Sequence, residues 1–191
     1  MREMKARTVQ NLKREGTEIQ RYVCEHAENL SAILCVTCPD FIFFKKIIQP
    51  GSDTEMSAFT YHKEDYPDLD NSVLLFAESL FEPVYATGVI AHEMFHIYQK
   101  NEGFLSDAYA EGYFESLNNT AEIEADAFAI CYMSNVLNLS HKKSASILCP
   151  AEKKYNPDAY WKRLNRAKKI SNKFSFDRGS VESVGSGSRR T

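Results

Sequence analysis

His92-Glu93-Met94-Phe95-His96 places two histidines four positions apart, with a glutamate directly after the first. On a helix, four positions amount to about 40° of rotation and about 6 Å of rise. The two imidazoles therefore share a face, and both can reach one metal ion. Glu93 points about 100° further round, off that face but within reach of a water at the ion's open position. A catalytic zinc takes neutral nitrogen ligands and keeps one position for water. Five residues thus supply two candidate ligands and a candidate base. Val89, Ile90 and Ala91 before the motif, and Met94, Phe95, Ile97 and Tyr98 within and after it, are apolar. Apolar residues on every side predict a buried helix, and a buried histidine needs a partner. Gly88 suits the start of that helix.

A third protein ligand is needed for such a zinc. Downstream runs Thr120-Ala121-Glu122-Ile123-Glu124-Ala125-Asp126-Ala127-Phe128-Ala129, rich in helix formers, with Asn118, Asn119 or Thr120 available as N-cap. Glu122 and Asp126 are again four apart and share a face. Glu124 is about 200° from Glu122 and points elsewhere. Ile123, Ala127, Ile130 and Cys131 give this helix a side to bury. In isolation an acidic run is a solvated helix face. Following His92–His96 with room for a loop and a chain reversal, it becomes a site. We assign Glu122 as the ligand and Asp126 as the acceptor for the second N–H of a ligating histidine, which fixes tautomer and orientation.

H-E-x-x-H followed by E-x-x-x-D on the next core helix resembles the gluzincin class of zinc metallopeptidases. Residues 91–99 and 122–129 are similar to small single-domain members, the minigluzincins and the ImmA/IrrE-like endopeptidases. The resemblance implies Zn2+ held by His92, His96 and Glu122, Glu93 as general base and Asp126 as outer support. It also implies an edge strand beside the cleft that takes substrate as an added strand. By motif it covers roughly residues 70–135, and by architecture 10–150. Phe95 is a departure, since many ImmA-type relatives carry glycine there.

With 191 residues, 43% hydrophobic and 12% aromatic, the chain can bury a sizeable core. The expected organisation is a zincin-like domain over residues 1–150, a basic helical extension over 151–174 and a disordered tail over 175–191. No apolar run is long enough to cross a bilayer, and Met1 to Glu18 lacks an apolar signal region, so the expected location is cytoplasmic. Five cysteines show no disulfide framework. The Cys35-Val36-Thr37-Cys38 pair lacks a second pair to complete a zinc site and is read as reduced thiols. The net charge of -3 is uneven. Residues 141–191 carry 13 Lys or Arg against 4 Asp or Glu, whereas residues 1–140 carry 10 against 22. The basic end is read first as a solvated tail, with nucleic acid, a membrane surface or the protein's own acidic body as other occupants.

The fold class predicted is α+β, a small and mainly antiparallel sheet packed against the H-E-x-x-H helix and the glutamate helix that follows. Residues 7–34 read as a helix with Gly16 as its weak point. Strands are expected from Phe41, over Met56–Tyr61 and over Val73–Phe81, with a turn at residues 49–53. A last helix covers residues 157–174, with Tyr160, Trp161, Leu164, Ala167 and Ile170 as its apolar side. His26 is given no role, and His62 is placed at the surface. Tyr109, Tyr113 and His141 are candidates to stabilise an oxyanion, although aromatic packing or a helix end accounts for each as well.

These readings converge on a zinc-dependent endopeptidase acting on a protein or peptide, with a regulatory protein among the candidate substrates. The alternatives are a catalytically silent partner-binding protein on the same scaffold and, ranked last, a nucleic-acid-associated protein using the basic helix.

Overall fold

The computed structural model describes residues 6–49, 53–66, 68–103, 120–174 and 176. Its architecture is α+β, with seven α-helices and two small sheets among those residues. Helix α1 (Val9–Glu15) and helix α2 (Glu18–Leu34) replace the single predicted helix. The break falls at Gly16, where a Cβ would collide with the Leu12 carbonyl. Thr17 then restarts the helix with a reciprocal capping box to Gln20.

Strand β1 (Asp40–Phe44) is followed by β2 (Ile47–Ile48) and β3 (Glu55–Met56), which form a short hairpin of their own. The predicted strand over Met56–Tyr61 is thus divided between β3 and β4 (Ala58–Tyr61). Strand β5 (Val73–Ala77) ends before Phe81 because residues Glu78–Leu80 form a 3-10 turn. The three-stranded sheet has the order β1-β5-β4. It is mixed: β4 pairs antiparallel with β5, but β1 pairs parallel, Asp40 opposite Val73 and Phe44 opposite Ala77. Strand direction leaves no mark on an apolar pattern, so this pairing was not readable from the chain. Central β5 is buried on both faces, as its unbroken Val-Leu-Leu-Phe-Ala run requires.

Backbone bonds between Arg7 and Phe41 cover the far edge of β1. Strand β4 forms the other edge and lies against helix α3 (Pro83–Asn101). Its inward positions are Ala58, Thr60 and, continuing the alternation, His62. His62 is therefore buried at 3% exposure, not at the surface as expected. Burial, and then the nearby His96, push its pKa down to about 4.

Helix α3 starts at Pro83, with the Glu82 carboxylate capping the Tyr85 N–H. Gly88 is consequently inside the helix and not at its start. A Cβ there would lie 2.6 Å from Met133 Sδ and 2.9 Å from Leu148 Cδ1. Gly88 permits close approach of helix α4 (Thr120–Val136) and helix α5 (His141–Leu148). Phe95 stacks on Phe128 of α4 with ring centroids 4.7 Å apart, fixing the same helix pair further along. Helix α4 is buried nearly all round, from Ala121 to Met133, which makes it the central helix.

Two short helices, α5 and α6 (Pro150–Tyr155), lead to α7 (Pro157–Ile170), capped by the Asn156 side chain. Tyr160, Leu164, Ala167 and Ile170 join the same hydrophobic core as α3 and α4. Trp161, expected on that side, is 49% exposed, because it stands one position past Tyr160 and turns outward. The expected tail over 175–191 lies outside the described residues, apart from Phe176, which packs on Phe128 at 5.8 Å. No helix among the described residues is long and apolar enough to cross a membrane.

Candidate metal centre

The motif helix and the central helix bring His92, His96 and Glu122 together. His92 Nε2 lies 2.9 Å from His96 Nε2 and 3.2 Å from Glu122 Oε2, and His96 Nε2 lies 3.4 Å from Glu122 Oε1. Tetrahedral zinc with bonds near 2.0–2.1 Å spaces its ligand atoms about 3.3 Å apart. The two separations from Glu122 fall on that figure, and the imidazole pair, at 2.9 Å, is about 0.4 Å closer.

The outer atoms of the two imidazoles settle their tautomers. His92 Nδ1 faces Asp126 Oδ1 at 2.9 Å, and a carboxylate only accepts. His96 Nδ1 faces Gln99 Oε1 at 2.8 Å, while Gln99 Nε2 donates to the Ala121 carbonyl at 3.0 Å. With its amide nitrogen thus committed, Gln99 presents its oxygen as an acceptor. Both Nδ1 atoms therefore donate, and when the rings are neutral both Nε2 atoms turn lone pairs toward each other and toward a carboxylate. With both rings neutral, three acceptors converge, and the centre of the cluster takes a metal cation or, in its absence, a proton. Two imidazole nitrogens and one carboxylate oxygen form a donor set suited to zinc.

Electrostatics point the same way. Burial opposes charge on His92, but Asp126 and then Glu122 outweigh it and raise its proton affinity well above the usual imidazole value. Burial would raise the Glu122 pKa, yet His92 and His96 hold it far below the ordinary carboxylate range. The cluster draws positive charge to its centre.

Glu93, the candidate base, accepts a 2.8 Å hydrogen bond at Oε2 from Thr60 Oγ1 of β4. Asp126 takes a second bond at Oδ2 from Arg163 Nε at 2.5 Å. Arg163 belongs to α7 and is 1% exposed. Burial works against its charge, and Asp126 more than restores it. Glu124 points away from the cluster, as its position on the helix predicts, and pairs with Arg166 at 2.5 Å.

Three supporting residues escaped the sequence reading: Thr60, Gln99 and Arg163. Gln99 stands three positions after His96, within reach on one helix face. Arg163 interrupts the apolar stripe of Tyr160, Leu164, Ala167 and Ile170, and an arginine in that position signals a buried partner. Thr60 carries no comparable mark. Of the remaining candidates, His141 is the first residue of α5, with its pKa lowered by burial and then by Lys168. Tyr109 and Tyr113 lie outside the described residues. His26 is half-buried and bonded to Tyr132 Oη at 2.9 Å. The five cysteines are free thiols. No protein-family model matches the chain, and neither a curated protein nor a solved structure matches it.

Proposed function

We propose that the protein is a zinc-dependent endopeptidase of gluzincin type. The observation that carries this reading is the facing pair of Nε2 atoms closed by the Glu122 carboxylate, with Glu93 on the same helix as the two histidines. His92 and His96 would hold the ion through Nε2, and Glu122 through its carboxylate. When bound, zinc supplies a Lewis acid that acidifies water and polarises a carbonyl. Thr60 occupies Oε2 of Glu93 and leaves Oε1 to take a proton from the attacking water. The water oxygen bonds to the scissile carbon, the C–N bond breaks, and Glu93 returns its proton to the departing amine. Strand β4, at the sheet edge against α3, offers backbone donors and acceptors to an extended peptide.

The test has two parts. Elemental analysis of the purified chain gives one zinc, lost on replacing His92 or His96. Glu93→Gln retains the zinc and loses cleavage of a peptide panel. Full activity of Glu93→Gln removes the assigned base. Zinc without cleavage of any sequence favours a silent partner-binding protein on this scaffold.

A further inference from the structure

We infer that Arg163 is a positioning residue of the metal centre, and that the C-terminal helix α7 is thereby part of the site and not an appendage to it. This rests on the metal reading above. The connection is continuous: His92 Nδ1 donates to Asp126 Oδ1, Arg163 Nε donates to Asp126 Oδ2, and Arg163 Nη1 donates to the Ala159 carbonyl at 3.3 Å. It crosses from α3 through α4 to α7. The guanidinium is held at two points, so it fixes the plane of the Asp126 carboxylate. That plane in turn sets the direction of the His92 ring and of its Nε2 lone pair.

Stability is a weak reason for such a pair. A buried ion pair loses hydration on both partners, and apolar side chains of similar size often serve packing as well or better. The other buried positions of α7, Ala159, Tyr160, Leu164, Ala167 and Ile170, carry no charge and would accept an apolar neighbour. What an apolar residue could not do is orient a carboxylate. The second ligating histidine is anchored to the same helix by a different route, through Gln99 to the Ala121 carbonyl next to Glu122. Both imidazoles are thus referred to α4, and only the Asp126 route depends on α7.

A control lies one turn further along. Arg166 pairs with Glu124 between the same two helices without touching Asp126. Zinc affinity of the full chain is measured by competition with a chromophoric chelator, and the visible absorption of the Co2+ form is recorded. Arg163→Met is expected to weaken zinc binding roughly tenfold, at the low end for outer-shell losses because it acts through Asp126. Its cobalt spectrum should also change. Arg166→Met should leave both unchanged. Arg163→Lys keeps the charge but not the two-point grip, and it should fall between wild type and Arg163→Met. It carries the test if Arg163→Met does not fold by circular dichroism. Binding by the folded Arg163 variant as tight as by Arg166→Met, with the same spectrum, overturns the inference while leaving the metal reading intact. Failure of the unsubstituted chain to bind zinc overturns both.

Discussion

Thr60 Oγ1 donates to Glu93 Oε2 across 2.8 Å, so the edge strand grips the carboxylate assigned as base. The strand that would align a peptide and the group that would take the proton are therefore mechanically joined. Thr60 is 4% exposed, and water cannot readily take its place.

Thr60→Val keeps the shape of the side chain and deletes the donor. A hydrogen bond to a charged group is worth about 1.5 kcal/mol net at the low end, which corresponds to a roughly tenfold loss in kcat. KM should hold, because the β4 backbone is unchanged, and zinc content should hold because no ligand is touched. Thr60→Ser should restore the rate. Steady-state kinetics on any cleaved peptide decides it: unchanged kcat in Thr60→Val means that the bond does not serve the base.

Gln99→Leu should weaken zinc binding by roughly tenfold or more, since the lost group orients a ligating imidazole. Leucine also leaves the Ala121 carbonyl and His96 Nδ1 without this partner. Chelator competition gives the affinity. Gln99→Glu separates the two effects, because a carboxylate still accepts from Nδ1 but cannot donate to Ala121. Retained affinity in Gln99→Glu alongside a loss in Gln99→Leu locates the effect at the histidine.

The convergence of His92, His96, Glu122 and Asp126 was legible because a helix turns the four-residue spacing into a shared face, and each motif sits on one helix. The supports were harder to see because they arise from contacts between distant segments. Thr60 is 33 residues before Glu93, and Arg163 is 37 after Asp126. Arg163 was counted with the basic C-terminal end, read as a solvated tail, although its interruption of the apolar stripe of α7 was visible. His62 was misplaced because its polar neighbours in sequence outweighed the strand alternation through Ala58 and Thr60. The parallel partnership of β1 with β5 depends on the route of the intervening chain, which hydrophobic patterning does not encode.

Gly88→Ala sets two effects against each other. Alanine gains about 1 kcal/mol of helix propensity, while overpacking a tight core costs about 1–3 kcal/mol. The added Cβ would meet both Met133 Sδ and Leu148 Cδ1 below 3.0 Å, from two different helices. We expect overpacking to prevail, with a net loss of about 1 kcal/mol by urea unfolding and a larger loss for Gly88→Val. Stabilisation by Gly88→Ala would mean that the Met133 and Leu148 side chains turn aside without penalty.

His26 provides a pH dependence outside the metal cluster. Its ring packs at a tilt against Tyr22, centroids 4.6 Å apart, and bonds to Tyr132, and burial lowers its pKa from 6.5 to about 4. Between those values the unfolded chain binds a proton that the folded chain does not. Stability from this group is therefore complete above pH 6.5 and is lost as pH falls toward 4, by up to about 3 kcal/mol. His62, shifted the same way, adds a parallel contribution. His26→Gln can still bond to Tyr132 but does not titrate. Its urea stability, measured from pH 7 to pH 4.5 with chelator present so that metal loss does not intrude, should fall less steeply than that of the unsubstituted chain. The remaining slope is then that of the other shifted groups, His62 and His141 in the same direction, His92 in the opposite one, and the carboxylates. Identical slopes would show that His26 is protonated in the fold with no penalty, and that the α2–α4 interface admits water at this point.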